Sequence, residues 1–188
     1  MTTLMTPTVV TTRRVESPLG LLTLVGSDAG LRAILWADDD PARAGLADVA
    51  LQPGSVDVLD EAARQLDEYF AGSRTTFDLP LDLQGTPFQV AAWEALADIP
   101  YGETRTYSEQ AAKIGRPAAV RAVGTANGRN PLSIVLPCHR VVGSDGALRG
   151  FAGGLDAKAA LLAFEQGETD RVPGRSLAPC YPLSARSR

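Results

Sequence analysis

The chain has 188 residues and a mass of 19.8 kDa, with 45% hydrophobic and 21% charged residues. That composition fits one or two soluble globular domains and excludes collagen, coiled-coil rods and disorder throughout. Two cysteines and one histidine exclude a disulfide framework and a four-ligand zinc site made from Cys and His alone.

No apolar run approaches the roughly 18–20 residues that a membrane span requires. Met1 to Thr12 is Thr-rich and lacks an apolar segment and a cleavage site, so no membrane contact and a reducing, cytoplasmic location are expected. The net charge is −4, with a sequence pI near 5.0, which argues against nucleic acid when the chain is taken whole. Its distribution argues otherwise. Residues 1–84 carry 6 Arg against 13 acids, a net of −7; residues 85–188 carry 12 Lys or Arg against 9 acids, a net of +3. Between Arg105 and Arg149, seven basic residues meet only Glu109 and Asp145, a net of +5. Such asymmetry fits a polyanion-facing half as well as a solvated surface.

In chain order, Leu19–Val25 and Leu31–Trp36 form apolar runs around Gly26-Ser27-Asp28-Ala29-Gly30, which predicts a β-hairpin. Asp57–Ala71 has helical spacing in Val58, Leu59, Ala62, Ala63, Leu66, Tyr69 and Phe70, with Gly72 as a stop. Phe77, Leu79, Leu81 and Leu83 alternate as in a half-buried strand, made an edge or irregular one by Pro80. Thr86-Pro87-Phe88-Gln89 starts a helix with a capping box, predicted to run to about Ala97. Thr106-Tyr107-Ser108-Glu109 starts another, ending near Ile114 before Gly115. A third is predicted from Pro117 to about Ala126, stopped by Gly128, so the two short helices form a helix-turn-helix candidate. Ala118, Ala119, Ala122, Gly124 and Ala126 leave this last helix slim, with Arg121 as its long side chain.

Leu132–Leu136 reads as a short buried strand leading into Pro137-Cys138-His139-Arg140-Val141-Val142. A loop with Gly143, Gly146, Gly150, Gly153 and Gly154 follows, then a helix from Asp156 to Gln166. The tail beyond Gly167 is polar and rich in Pro, Arg and Ser, and flexibility is expected there. Cys138 beside His139 suits a nucleophile with an adjacent base, since the thiolate is the reactive form. Alone, the pair fits better a buried structural cysteine beside a solvent-facing histidine, because neighbours on a strand point to opposite faces.

The hexapeptide at 137–142, with Asn130-Pro131 upstream, resembles the O6-alkylguanine-DNA alkyltransferases, also called methylated-DNA–protein-cysteine methyltransferases. Ile99-Pro100-Tyr101-Gly102-Glu103-Thr104, Arg121-Ala122-Val123-Gly124, Gly153-Gly154 and Leu161–Glu165 match family landmarks in family order. The resemblance covers about residues 13–166. It implies an α+β fold: a ribonuclease-H-like N-terminal α/β domain with a small antiparallel sheet over residues 1–84, and a mostly helical C-terminal domain with a winged-helix-like helix-turn-helix over residues 85–166. Residues 167–188 form the tail.

The resemblance further implies transfer of an alkyl group from O6 of guanine, and from O4 of thymine, in double-stranded DNA to Cys138. The transfer is irreversible and occurs once per molecule. His139 acts on the thiol through a water molecule, Glu165 orients His139, and Asn130 braces the site. Tyr107 donates to N3 of a flipped guanine, and Arg121 fills the gap that the base leaves. Thr106, Ala122, Ala126 and Gly128 join them at the DNA, with the slim helix in the minor groove. Pro137, Val141, Ala147, Leu148, Phe151, Ala152 and Gly153 wall the base pocket. Phe151 and Ala152 stand where some relatives have Tyr and Ser. Relatives with a zinc-stabilised N-terminal domain use Cys and His there; this half has neither, so no metal or cofactor is expected. A monomer in solution is the expected state, and the sequence leaves cooperative assembly on DNA open. Cys180, outside any motif, reads as an incidental thiol. A non-catalytic damage binder lacking the acceptor cysteine, and a Cys-His hydrolase, are the competing classes; the first loses its support to Cys138, and the second leaves Tyr107 and Arg121 without a role.

Overall fold

The computed structural model describes residues 9–168. The expected flexible tail therefore lies outside the described residues except for Gly167 and Glu168, and Cys180 lies outside them entirely.

Strands β1 (Val9–Ser17), β2 (Gly20–Ser27), β3 (Gly30–Trp36) and β4 (Ala50–Pro53) form one sheet in the order β3-β2-β1-β4. The β2–β3 hairpin is the one that the sequence predicts. β1 pairs antiparallel to β2 and parallel to β4, so the sheet is antiparallel apart from that edge pair. Helix α1 (Asp57–Ala71) begins with Asp57 and Asp60 in its first turn, where acids suit the helix dipole. It ends on Gly72 at φ +79°, the left-handed conformation that glycine adopts without penalty.

The expected strand at 77–83 does not form. Leu31 makes a single bridge to Leu81, with its N–H donating to the Pro80 carbonyl at 2.8 Å. Pro80 has no N–H to extend a ladder. At this crossing Gly30 has φ +147°, and a Cβ there would run into the Pro80 carbonyl.

Three helices then build a scaffold around the predicted helix-turn-helix. α2 (Pro87–Glu94) and α3 (Tyr107–Lys113) each begin with the expected capping box, on Thr86/Gln89 and Thr106/Glu109. α4 (Val120–Gly128) starts three residues later than the sequence suggests, because 116–119 is spent on the turn; the Arg116 N–H bonds the Ala111 carbonyl and the Ala119 N–H bonds the Arg116 carbonyl, both at 2.8 Å. Buried polar contacts fix α4. The Trp93 indole N–H donates to the Ala126 carbonyl at 2.8 Å. Gln110 and Asn127 exchange amide hydrogen bonds at 2.7 and 3.0 Å, while Gln110 also donates to the Ala92 carbonyl at 2.8 Å.

The predicted strand at 132–136 is instead a tight turn. Leu132 bridges Ile34, the Leu136 N–H returns to the Leu132 carbonyl, and Ile134 sits at φ +77°. A 3-10 turn at Cys138–Arg140 follows, and then β6 (Val141–Val142), paired in parallel with β5 (Arg105–Thr106). α5 (Gly154–Glu165) closes the described chain, beginning two residues before the expected start. One core runs through both halves: Leu22, Leu24, Ile34 and Trp36 from the sheet pack with Leu59, Leu66 and Tyr69 of α1, and with Leu132, Ile134, Cys138, Leu161 and Phe164. The chain is thus an α+β fold whose sheet and helical part share a core.

Asn127→Leu keeps the side-chain branching at the α3–α4 contact but leaves the buried Gln110 Oε1 without its donor. Urea unfolding is expected to show a loss of about 1–3 kcal/mol; an unchanged midpoint would mean that the amide pair contributes nothing.

Candidate active site

The site is built around one carboxylate. Glu165, the last residue of α5, is buried and accepts five hydrogen bonds. Oε1 takes the Tyr69 hydroxyl at 2.7 Å, His139 Nε2 at 2.8 Å and Arg140 Nη2 at 2.9 Å; Oε2 takes Arg140 Nε at 2.9 Å and the Gly102 N–H at 3.1 Å. Burial alone would raise its pKa, but the bonds from His139 and Arg140 outweigh burial and hold it at about 2. Glu165 is therefore an anion that can only accept.

That fixes the state of His139. Its ring is fully buried, and burial pushes its pKa below the usual value despite the facing carboxylate, so the resting ring is neutral. Bonded to an acceptor, Nε2 must carry the proton, which leaves the lone pair on Nδ1. Nδ1 is buried and has no hydrogen-bond partner among the described residues, so it is not bonded directly to the Cys138 thiol. The environment supplies a base with an open lone pair.

Cys138 is 5% exposed at the start of the 3-10 turn. Burial pushes its thiol up, opposed by a hydrogen bond from Asn130 and by the charges of Lys158 and Arg43. The thiol is thus protonated at rest, and reaction requires a base. Asn130 itself is fully buried: its Nδ2 donates to the Leu136 carbonyl at 2.7 Å, and its Oδ1 accepts the Leu132 N–H at 3.0 Å. Its amide closes the 130–136 turn, which is why no strand is needed to present Cys138.

A groove of about 630 Å³ brings together Tyr107, Arg121, Gly124, Gly128, Arg149 and Gly150. Arg121 and Ala122 are exposed on α4, as is Gly128. Ala126, expected at the DNA, is instead buried against α2, because its carbonyl serves Trp93. Thr106 is committed to capping α3. The Tyr107 hydroxyl donates to the Arg149 carbonyl at 3.3 Å. In the 143–153 loop, Asp145 accepts the Ala147 N–H at 3.1 Å and pairs with Arg149 at 2.9 Å. Ala147 is exposed, Leu148, Phe151, Ala152 and Gly153 are half-buried, and Pro137 and Val141 are buried beside Cys138. Among the described residues no cluster of His, Cys, Asp or Glu could hold a metal ion.

The sequence reading assigned no role to several residues of this site. Arg140 is 5% exposed, doubly bonded to Glu165, and bonded to the Ile99 carbonyl at 2.5 Å. Lys158 is fully buried and donates to the Val141 and Arg149 carbonyls at 2.6 and 2.8 Å, with Nζ 5.9 Å from the Tyr107 ring centre. Arg43 reaches across from the N-terminal half to the Asn130 carbonyl at 2.6 Å. Lys158 was findable: it shares the spacing of Leu161, Leu162 and Glu165 on the inner face of α5.

The fold and site together define a protein in which a buried cysteine with a histidine–glutamate base stands behind a helix-turn-helix. Comparison with known proteins narrows the class. Residues 87–167 match the family described as 6-O-methylguanine DNA methyltransferase, DNA binding domain, and residues 10–83 match its ribonuclease-like domain. A methylated-DNA–protein-cysteine methyltransferase of Mycolicibacterium paratuberculosis is 50% identical over 156 residues, covering 82% of this chain and 91% of the relative. One from Methanosarcina barkeri is 49% identical over 155 residues, covering 81% and 94%. The crystal structure of Mycobacterium tuberculosis OGT in complex with DNA superimposes with a TM-score of 0.77 at 44% identity, covering 88% of this chain and 96% of that one. The chain belongs to the methylated-DNA–protein-cysteine methyltransferase family.

The titrations set a pH dependence for folding. His139 and Glu165 both have folded pKa values below their ordinary values of 6.5 and 4.5. The unfolded chain therefore binds protons first, and stability falls as pH drops. Thermal stability is expected to weaken first as pH falls through the histidine range below 6.5, and then to lose about 3 kcal/mol between pH 4.5 and 2 from Glu165. Glu165→Gln should remove the lower step; an unchanged acid limb would contradict the assignment.

Proposed function

We propose that this chain repairs alkylated DNA by moving the methyl group from O6 of guanine to the Cys138 sulfur. The observation that carries this reading is the geometry of His139, buried, bonded to Glu165 through Nε2 and open at Nδ1, beside the buried Cys138, whose thiol burial pushes up. The thiol proton passes through one water molecule to Nδ1, and Glu165 stabilises the imidazolium that results. The thiolate attacks the methyl carbon in line with the C–O bond. An S–C bond forms, the C–O bond breaks, and its electrons stay on the base, which takes up a proton to restore guanine. The product thioether is stable, so each molecule reacts once. O4-methylthymine presents the same type of oxygen and is a second substrate.

The target atom is hidden in a duplex, so the base must leave the stack, at a cost of a few kcal/mol. Arg121, exposed on α4 at the groove, replaces it, and the small residues beside it let the helix approach the minor groove. Tyr107 donates to N3 of the flipped guanine, and the Ala147–Gly153 loop walls it. Residues 85–166 carry the reaction. Residues 1–84 support it through Tyr69 and Arg43, and the acidic half faces away from DNA.

Intact mass after incubation with a duplex carrying O6-methylguanine is expected to rise by about 14 Da, on Cys138, with one transfer per molecule. Cys138→Ala should bind the duplex without a mass gain; methyl uptake by that variant would contradict the assignment. His139→Phe should slow transfer by about 10²–10⁴-fold. Arg121→Ala should slow transfer from duplex more than it weakens single-strand binding, and an equal loss in both would remove its finger role.

A further inference from the structure

The base-binding loop is backed by a residue from the other half of the chain. Trp36 ends β3 and is 8% exposed. Its indole meets the Phe151 ring edge-on, with centroids 5.5 Å apart and planes at 69°. Phe151 in turn meets the His139 ring at 6.3 Å and 80°. Indole, phenyl and imidazole thus form a continuous series from the sheet to the base of the active site.

Gly153 lies flat against the same indole. Its backbone, at φ −81° and ψ 6°, is one that any residue adopts. The indole excludes a side chain there: a Cβ at Gly153 would stand 2.6 Å from ring atoms of Trp36. The indole N–H is buried and has no hydrogen-bond partner among the described residues. Burying such a group unpaired is unfavourable, so the ring is not held by its polar atom. Its contacts with Phe151, Gly153 and the core are what it offers.

We propose that Trp36 is a positioning residue that sets the width of the alkyl pocket by backing Phe151 and Gly153. This rests on the alkyl-transfer reading above. A smaller residue at position 36 lets Phe151 retract, so large alkyl groups gain relative to methyl. Closely packed walls discriminate by about tenfold or more per small change in fit.

Transfer to Cys138 is followed by intact mass with duplexes carrying O6-methylguanine or O6-benzylguanine, for the full chain and for Trp36→Leu and Trp36→Phe. The benzyl-to-methyl rate ratio is expected to rise about tenfold in Trp36→Leu and to return toward that of the parent in Trp36→Phe, which keeps an aromatic edge. A purely structural role lowers both rates together, and an unchanged ratio overturns the proposal while leaving alkyl transfer intact. If the parent chain accepts neither group, the alkyl-transfer reading falls and this proposal with it. A second measurement needs no activity. Gly153→Ala is expected to lower Tm in the parent chain and to lower it much less in Trp36→Leu; equal losses in the two backgrounds overturn the contact on which the proposal stands.

Discussion

Everything in the site depends on one buried anion. The Glu165 carboxylate gathers Tyr69 from α1, the Gly102 amide from the loop after α2, Arg140 and His139 from the active-site turn, and its own helix α5. An unpaired carboxylate in such a place would be strongly unfavourable. It persists because Arg140 neutralises it and every bond is donated to it. The arrangement holds four segments distant in sequence in fixed relation. It also gives the histidine its tautomer. A Gln in its place could accept some of these bonds but would lose the charge that stabilises an imidazolium.

The cysteine is managed by the opposite logic. Its surroundings raise the thiol pKa rather than lower it, so the nucleophile is kept masked. The neighbouring His139 is itself buried, and burial pushes its pKa down. Asn130, Lys158 and Arg43 each favour the thiolate once the proton leaves.

Much of the architecture could be read in the sequence where local chemistry decides it. The α1 boundaries and both capping boxes follow from residue types within one helical turn, and the hairpin follows from its turn residues. What could not be read depends on distant partners. β1 is a Thr- and Arg-rich segment whose strand character comes from its neighbours β2 and β4. The apolar alternation at 77–83 yields only one bridge because Pro80 cannot donate. The apolar run at 132–136 is a turn because the Asn130 side chain satisfies its backbone groups. Cys138, His139, Glu165, Asn130, Tyr107 and Arg121 were singled out by motif, whereas Arg140, Lys158, Tyr69 and Arg43 were not. Charged residues read as surface by default; the α5 spacing hints that Lys158 faces inward, but nothing local shows that Arg140 is buried and paired.

The central claim is that burial keeps His139 neutral against the pull of Glu165, while the bond to Glu165 fixes the proton on Nε2. His139 is the chain's only histidine, so ¹⁵N NMR of histidine-labelled protein reports it without ambiguity. The expected result is the Nε2–H tautomer, persisting to pH values below the ordinary histidine pKa of 6.5. An Nδ1–H tautomer, or a ring that protonates at its ordinary pKa, would contradict the account.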